Sequence, residues 1–230
     1  MNNWIIQIAA PAAKAADMDM SLWGLVVKGG WLMIPIFILS IIAIYIACER
    51  FWILRKTGTG DEAFMQLIQE KIQKKDIEGA LTDCDTENTP LAKIIRKGIL
   101  LRREAPGEIR ESMENTANYE VATLEKGLAT LATCAGTAPM IGFLGTVVGM
   151  VQAFYDMAMA GNNIDISLLS RGIYTAMITT VAGLIVGIIG YLAYNYLVSR
   201  IDKIVLHMER YNSELIDLLI RLKKQESPHH

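Results

Sequence analysis

The stretch that decides the architecture is Gly127–Tyr155, GLATLATCAGTAPMIGFLGTVVGMVQAFY, which holds no Asp, Glu, Lys, Arg or His. As a helix rising 1.5 Å per residue, it is long enough to cross a hydrocarbon layer of about 30 Å. A helix of that length on a water-soluble protein would carry a charged stripe, and this one has none. Two further charge-free stretches lie between Lys28 and Glu49 and between Arg171 and Arg200. The sequence therefore predicts an all-α integral membrane protein with three transmembrane helices, near 31–48, 128–155 and 172–198.

The remaining composition fits that class. Apolar residues make up 52% of the 230, and 22 Lys+Arg against 24 Asp+Glu give a net charge of −2. That balance excludes a basic nucleic-acid binder, and the apolar content excludes a disordered chain. Charge is segregated rather than scarce. Arg50, Arg55, Lys56, Lys93, Arg96, Lys97, Arg102 and Arg103 follow the first span, and Arg200, Lys203, Arg210, Arg221, Lys223 and Lys224 follow the third. The 157–170 connector has no Lys or Arg. Basic flanks stay cytoplasmic. The expected order is an extracytoplasmic, amphipathic N-terminal segment (1–30), the first span (31–48), a cytoplasmic helical domain (49–127), the second span (128–155), a periplasmic loop (156–171), the third span (172–198) and a cytoplasmic helix and tail (199–230). Ala12–Ala16 resembles a cleavage region but lacks a basic segment before it, so it reads as lying on the outer membrane surface.

In the cytoplasmic domain, Asp61 can open a helix whose apolar face is Phe64, Leu67, Ile68 and Ile72. A short helix fits 76–84, and Thr89-Pro90 opens another through Arg103. Pro106-Gly107 reads as a turn, and a polar helix from Glu108 should run straight into the second span. The third span should continue through 200–224, where Ile201, Ile204, Val205, Met208, Leu215, Leu218 and Leu219 keep a helical period. Such a stripe calls for a partner, most simply another copy of the chain.

Catalytic and metal signatures are missing. Cys48, Cys84 and Cys134 are far apart, and His207 is the one histidine before the terminal pair, so neither a His-based triad nor a His-rich metal site can be assembled and no cofactor is expected. Asp83–Asn88 alternates acids like a calcium loop but has Asn88 at the sixth position and Ile94 at the twelfth; it reads as an inter-helix loop. Gly142, Gly145 and Gly149 mimic a phosphate loop but lie inside a span and read as helix packing. On a helical wheel Ala135, Gly142, Thr146 and Gly149 cluster, as do Ala176, Thr180, Gly183 and Gly187, with Thr175 and Thr179 beside them. Two small-residue stripes with mid-depth threonines suggest a lined cavity. Ion carriers normally place an Asp, Glu, His or Lys in the membrane, and these spans have none. A partner helix has to bring it.

Ala138-Pro139-Met140-Ile141-Gly142-Phe143-Leu144-Gly145-Thr146-Val147-Val148-Gly149-Met150 resembles the second-span signature of the MotA/TolQ/ExbB proton-channel family. Gly172–Leu184 resembles its third-span signature, and Glu49-Arg50 with Asn88–Ile94 is similar to the ExbB subgroup. The resemblance covers about residues 22–215, and three spans favour ExbB or TolQ over MotA. It implies a pentameric ring in a bacterial inner membrane, with the second and third spans walling a pore around single-span ExbD-like helices that carry the membrane aspartate. Proton flow would drive a TonB-like protein; a TolQ-like role in envelope integrity and a purely structural scaffold are the alternatives. By motif, Thr146 and Thr180 would face the pore and Pro139 would kink the second span. Thr175 stands where many relatives have glutamate, which leaves it as a water-holding hydroxyl on the ion path.

Overall fold

The computed structural model describes residues 30–57, 61–159 and 166–226. The expected N-terminal segment lies outside these residues, as do 160–165 of the expected 156–171 loop; 156–159 and 166–171 are helical, so the two spanning helices reach further than expected. Among them the chain forms seven helices and no strand: α1 (Met33–Lys56), α2 (Asp61–Gln73), α3 (Ile77–Glu87), α4 (Pro90–Leu100), α5 (Pro106–Glu125), α6 (Leu128–Met159) and α7 (Ile166–Glu226). Three helical stretches are long and apolar enough to cross a membrane: α1, the α6 part of Pro106–Met159, and the first half of α7. With 61 residues, α7 is about 90 Å long at 1.5 Å per residue, so it extends far beyond a bilayer.

The polar half folds back on that extension. In α4, Leu91, Ile94, Ile95 and Ile99 are at most 1% exposed, because four apolar residues on one helical face meet α5 and α7 together. Gly98 sits where a Cβ would come within 2.5 Å of Met113 Sδ, so α4 lies close on α5. Ile68 and Ile72 of α2, Cys84 of α3 and Met113 of α5 join the same core as Ile201, Ile204, Met208, Leu215 and Leu219 of α7. The apolar stripe of α7 is thus covered by the chain's own α2–α5, and the expectation that it needs a second copy is corrected. The Lys223 ammonium donates to the carbonyls of Arg103 and Glu104 at 3.2 and 2.8 Å, tying the end of α7 to the α4–α5 turn.

Local chemistry sets the boundaries. Thr89 caps α4, its hydroxyl accepting from Ala92 N–H at 3.2 Å with Pro90 in the first turn. Three expectations change. Residues 83–87 are the last turn of α3 rather than a loop, and Asn88 closes that helix in a left-handed conformation (φ 46°). Pro106 starts α5 instead of making a turn, since a helix's first N–H needs no helical acceptor. The polar helix also does not run straight into the second span. Lys126 leaves the helix and Gly127 takes φ +85°, so α5 and α6 are separate helices.

The break is braced from α1. Arg50, 8% exposed, donates from Nη1 to the Thr123 carbonyl at 3.2 Å, and from Nη2 to Glu49 Oε1 at 3.2 Å. A carbonyl near the end of α5 is thereby satisfied by a cation, which suits the negative end of a helix. This gives the Glu49-Arg50 pair a physical role: it fastens the first span to the bend between cytoplasmic and membrane helices.

Candidate functional site

The strongest candidate site is the seam where α6 and α7 run antiparallel. On α6 the buried positions are Leu131, Ala135, Ala138, Gly142, Gly145 and Ala153; on α7 Ala176, Thr179, Gly183, Gly187 and Gly190 face them. Successive seam positions are three or four residues apart, with Gly149 filling the step between Gly145 and Ala153, as for helices packed along their length. Between the helices the backbones touch. A Cβ at Gly183 would stand 2.5 Å from the Ala138 carbonyl and 3.1 Å from Gly142 Cα. One at Gly142 would stand 2.8 Å from the Thr179 carbonyl, and one at Gly149 2.8 Å from Ala176 Cβ. At Gly145 it would overlap Thr179 Oγ1, and at Gly187 the ring of Pro139. Small residues are what permit this approach where lipid offers no hydrophobic drive.

Pro139 lies inside α6 and cannot donate to the Ala135 carbonyl one turn back. That carbonyl points at Gly187, where a Cβ would be 3.0 Å away. The proline and the glycine therefore fit as a pair across the seam.

The threonines differ from one another. Thr180 Oγ1 donates to the Gly142 carbonyl at 2.8 Å, an interhelical bond. Thr179, 2% exposed, donates to Ala176 O at 2.7 Å within its own helix and lies 3.3 Å from Gly142 O. Thr146 donates to Phe143 O at 2.6 Å on its own helix and is partly exposed. Thr175 is half-buried with its methyl toward Gly30, just before α1. The structure thus brings Thr179 and Thr180 together on Gly142 and leaves Thr146 and Thr175 apart from them. On the wheel Thr146 grouped with the packed stripe, but the buried seam position is Gly145, and on α7 it is Thr179. A wheel shows which residues share a broad face, and Gly145 and Thr146 both lie within about 60° of Gly142 on it; which of the two meets the neighbouring helix is set by the packing.

Outside the seam α6 and α7 present large apolar side chains, with Met140, Phe143, Val151, Met177, Val181 and Ile188 all exposed. No group of three or more His, Cys, Asp or Glu that could hold a metal ion occurs among the described residues.

Three helices fit to cross a membrane, a glycine-lined seam and long charge-free runs within the spans are the features to match. Residues 86–210, which include this whole seam, match the sequence profile of the MotA/TolQ/ExbB proton channel family. The chain belongs to that family. It is 31% identical over 176 residues to a biopolymer transport protein ExbB homolog of Methanothermobacter thermautotrophicus, covering 76% of this chain and 62% of that protein. It is 30% identical over 190 residues to the biopolymer transport protein ExbB-like 1 of Synechocystis sp., covering 82% and 75%. The Tol-Pal system protein TolQ of Haemophilus influenzae is 34% identical over 119 residues, half of each chain. Within the MotA/TolQ/ExbB family the chain is of the ExbB/TolQ type.

Proposed function

We propose that this chain forms the wall of a proton-driven motor in a bacterial inner membrane. It would assemble as a ring, most simply a pentamer, with the N-terminus periplasmic and the C-terminus cytoplasmic. The ring would surround single-span ExbD-like helices and energise a TonB-like protein. The observation that carries this reading is the pairing of α6 and α7: two helices held backbone to backbone, bearing hydroxyls at mid-depth, with no Asp, Glu, Lys, Arg or His from Gly127 to Tyr155 or from Gly172 to Ser199. A proton path through such a wall needs a titrating group from elsewhere, and a carboxylate on an enclosed helix supplies it. Threonine hydroxyls can hold water or meet that carboxylate.

The geometry also selects the variant that tests the reading. Thr180 already bonds Gly142 across the seam, so its removal perturbs packing and function together. Thr146 is bonded only within its own turn, so Thr146→Val leaves the α6–α7 seam unchanged. Expected is a several-fold loss of force-dependent uptake in cells carrying Thr146→Val, with the complex still co-purifying with its single-span neighbour at unchanged mass. Full uptake by the variant would remove Thr146 from the ion path. Co-purification with no single-span protein would favour the scaffold reading. A TolQ-like partner set, suggested by the match to the Tol-Pal protein, would show in the same experiment as a different neighbour.

A further inference from the structure

Trp31, just before α1, and Trp52, in its last two turns, are 70% and 79% exposed. Their separation of 21 residues is about 31 Å along a helix, close to the thickness of a bilayer core. Tryptophan prefers the membrane–water boundary, so the pair marks both levels. At the Trp52 level, α1 and α7 enclose a cleft of about 200 Å³ lined by Phe51, Leu54, Arg55, Tyr196, Leu197 and Arg200. Leu54 and Leu197 form its buried floor, and the Phe51 and Tyr196 rings, with centroids 6.0 Å apart, form an aromatic wall. Two guanidinium groups thus line one cleft whose walls hold no carboxylate. Neither Arg55 nor Arg200 joins an ion pair among the described residues. Two like charges beside a single small cleft repel unless an anion lies between them. Above it an exposed apolar track runs into the membrane, along Ile44 and Phe51 on α1 and Ile189, Leu192 and Tyr196 on α7.

We propose that this cleft is a binding site for the headgroup of an anionic phospholipid, phosphatidylglycerol in type. The phosphate sits between Arg55 and Arg200, whose planar forks match phosphate oxygens. The acyl chains follow the apolar track. A free phosphate would meet the arginines but make no use of the track, and that distinguishes the two anions. Bound there, the lipid joins the end of the first span to the point where α7 leaves the bilayer.

The test uses the full chain in detergent and native mass spectrometry, titrating phosphatidylglycerol, phosphatidylcholine or inorganic phosphate. Expected is retention of one phosphatidylglycerol per chain, with weaker retention of phosphatidylcholine and no displacement by millimolar phosphate. The double variant Arg55→Gln/Arg200→Gln should lower phosphatidylglycerol affinity by about 25-fold, roughly fivefold for each cation at the membrane surface. Arg102→Gln/Arg103→Gln, at the far cytoplasmic tip, should leave it unchanged. Equal retention of both lipids, displacement by inorganic phosphate, or unchanged affinity in the double variant would each overturn the site. So would loss of the oligomer in the double variant with lipid retention intact, since the arginines would then be serving a carboxylate of a second copy. The lipid titrations on the unaltered chain decide the matter even where the double variant does not fold.

Discussion

At the residue scale, the seam between α6 and α7 ranks its own positions. The atoms nearest a Cβ at Gly183 are all backbone of α6, from Ala138 and Gly142, so a methyl group there has no flexible neighbour to displace. Gly183→Ala should force the helices apart and cost about 1–3 kcal/mol, the usual penalty of overpacking. Thr180→Val removes one interhelical hydroxyl bond, which in membranes averages only about 0.6 kcal/mol. Thermal denaturation of the detergent-solubilised protein should therefore place Gly183→Ala well below Thr180→Val. The reverse order would mean that the hydroxyl, not the backbone approach, holds the seam. Outside the membrane, Cys84 is 2% exposed, and burial, with Asp83 and Asp85 adding to it, pushes its thiol up to about 12. A raised value in the folded state means the neutral thiol is the stabilised form. Its contribution is complete below the unfolded value near 9 and is lost as pH rises toward 12. At pH 8, Cys84 should resist maleimide until the protein is unfolded by denaturant. Labelling of Cys84 in the native state at the unfolded rate would contradict its packing.

At the element scale, two devices place the cytoplasmic helices, one between two of them and one at their junction with the second span. The first is the ion pair between Lys93 of α4 and Glu120 of α5, with Nζ 3.0 Å from Oε2 and 3.1 Å from Oε1. Glu120 is 5% exposed while the Lys93 side chain is 44% exposed. Lys93→Met strands a buried carboxylate and should cost about 2–3 kcal/mol, less than a fully buried pair because water reaches the lysine. Adding Glu120→Gln should recover part of that loss in a chemical-denaturation double-mutant cycle. Additive losses would mean that the two residues do not act on each other. The second device is the break at Gly127. Its φ of +85° is open to glycine, and a Cβ would also stand 3.3 Å from Ile46 Cγ2. Gly127→Ala should cost about 1 kcal/mol, read as a lowered melting temperature. No change would show that α5 and α6 can join without strain. Arg50 makes this bend specific, since its guanidinium meets the Thr123 carbonyl from a different helix.

At the scale of the whole molecule, one long helix serves two solvents. Within the membrane, α7 offers small residues to α6; beyond it the same face carries Leu197, Ile201, Ile204, Met208 and Leu215 to the soluble bundle. The change from glycine to leucine and isoleucine follows the driving force. In lipid, close backbone contact is what associates helices, whereas in water apolar burial does. Because α7 is continuous across that change, the membrane seam and the cytoplasmic bundle share one helix. For a subunit proposed to couple proton flow to work, Thr146→Val should lower force-dependent uptake several-fold without altering the fold. Unchanged circular dichroism together with lowered uptake is the expected pair of results.

The sequence by itself determined the number of spans, their small-residue stripes and the family, because charge-free length and backbone-sized side chains are local properties. It also placed the Thr89–Pro90 helix start, where the cap lies within three residues of its acceptor. Only the tertiary structure decided the rest. It assigned Thr179 and Thr180 to Gly142, showed that α2–α5 cover the apolar stripe of α7, and put Arg50 against a carbonyl 73 positions away. Each of these depends on which helix lies beside which. Helical periodicity tells which face of a helix is apolar or small, but not whether a second helix of the same chain, the lipid or another subunit will lie against it.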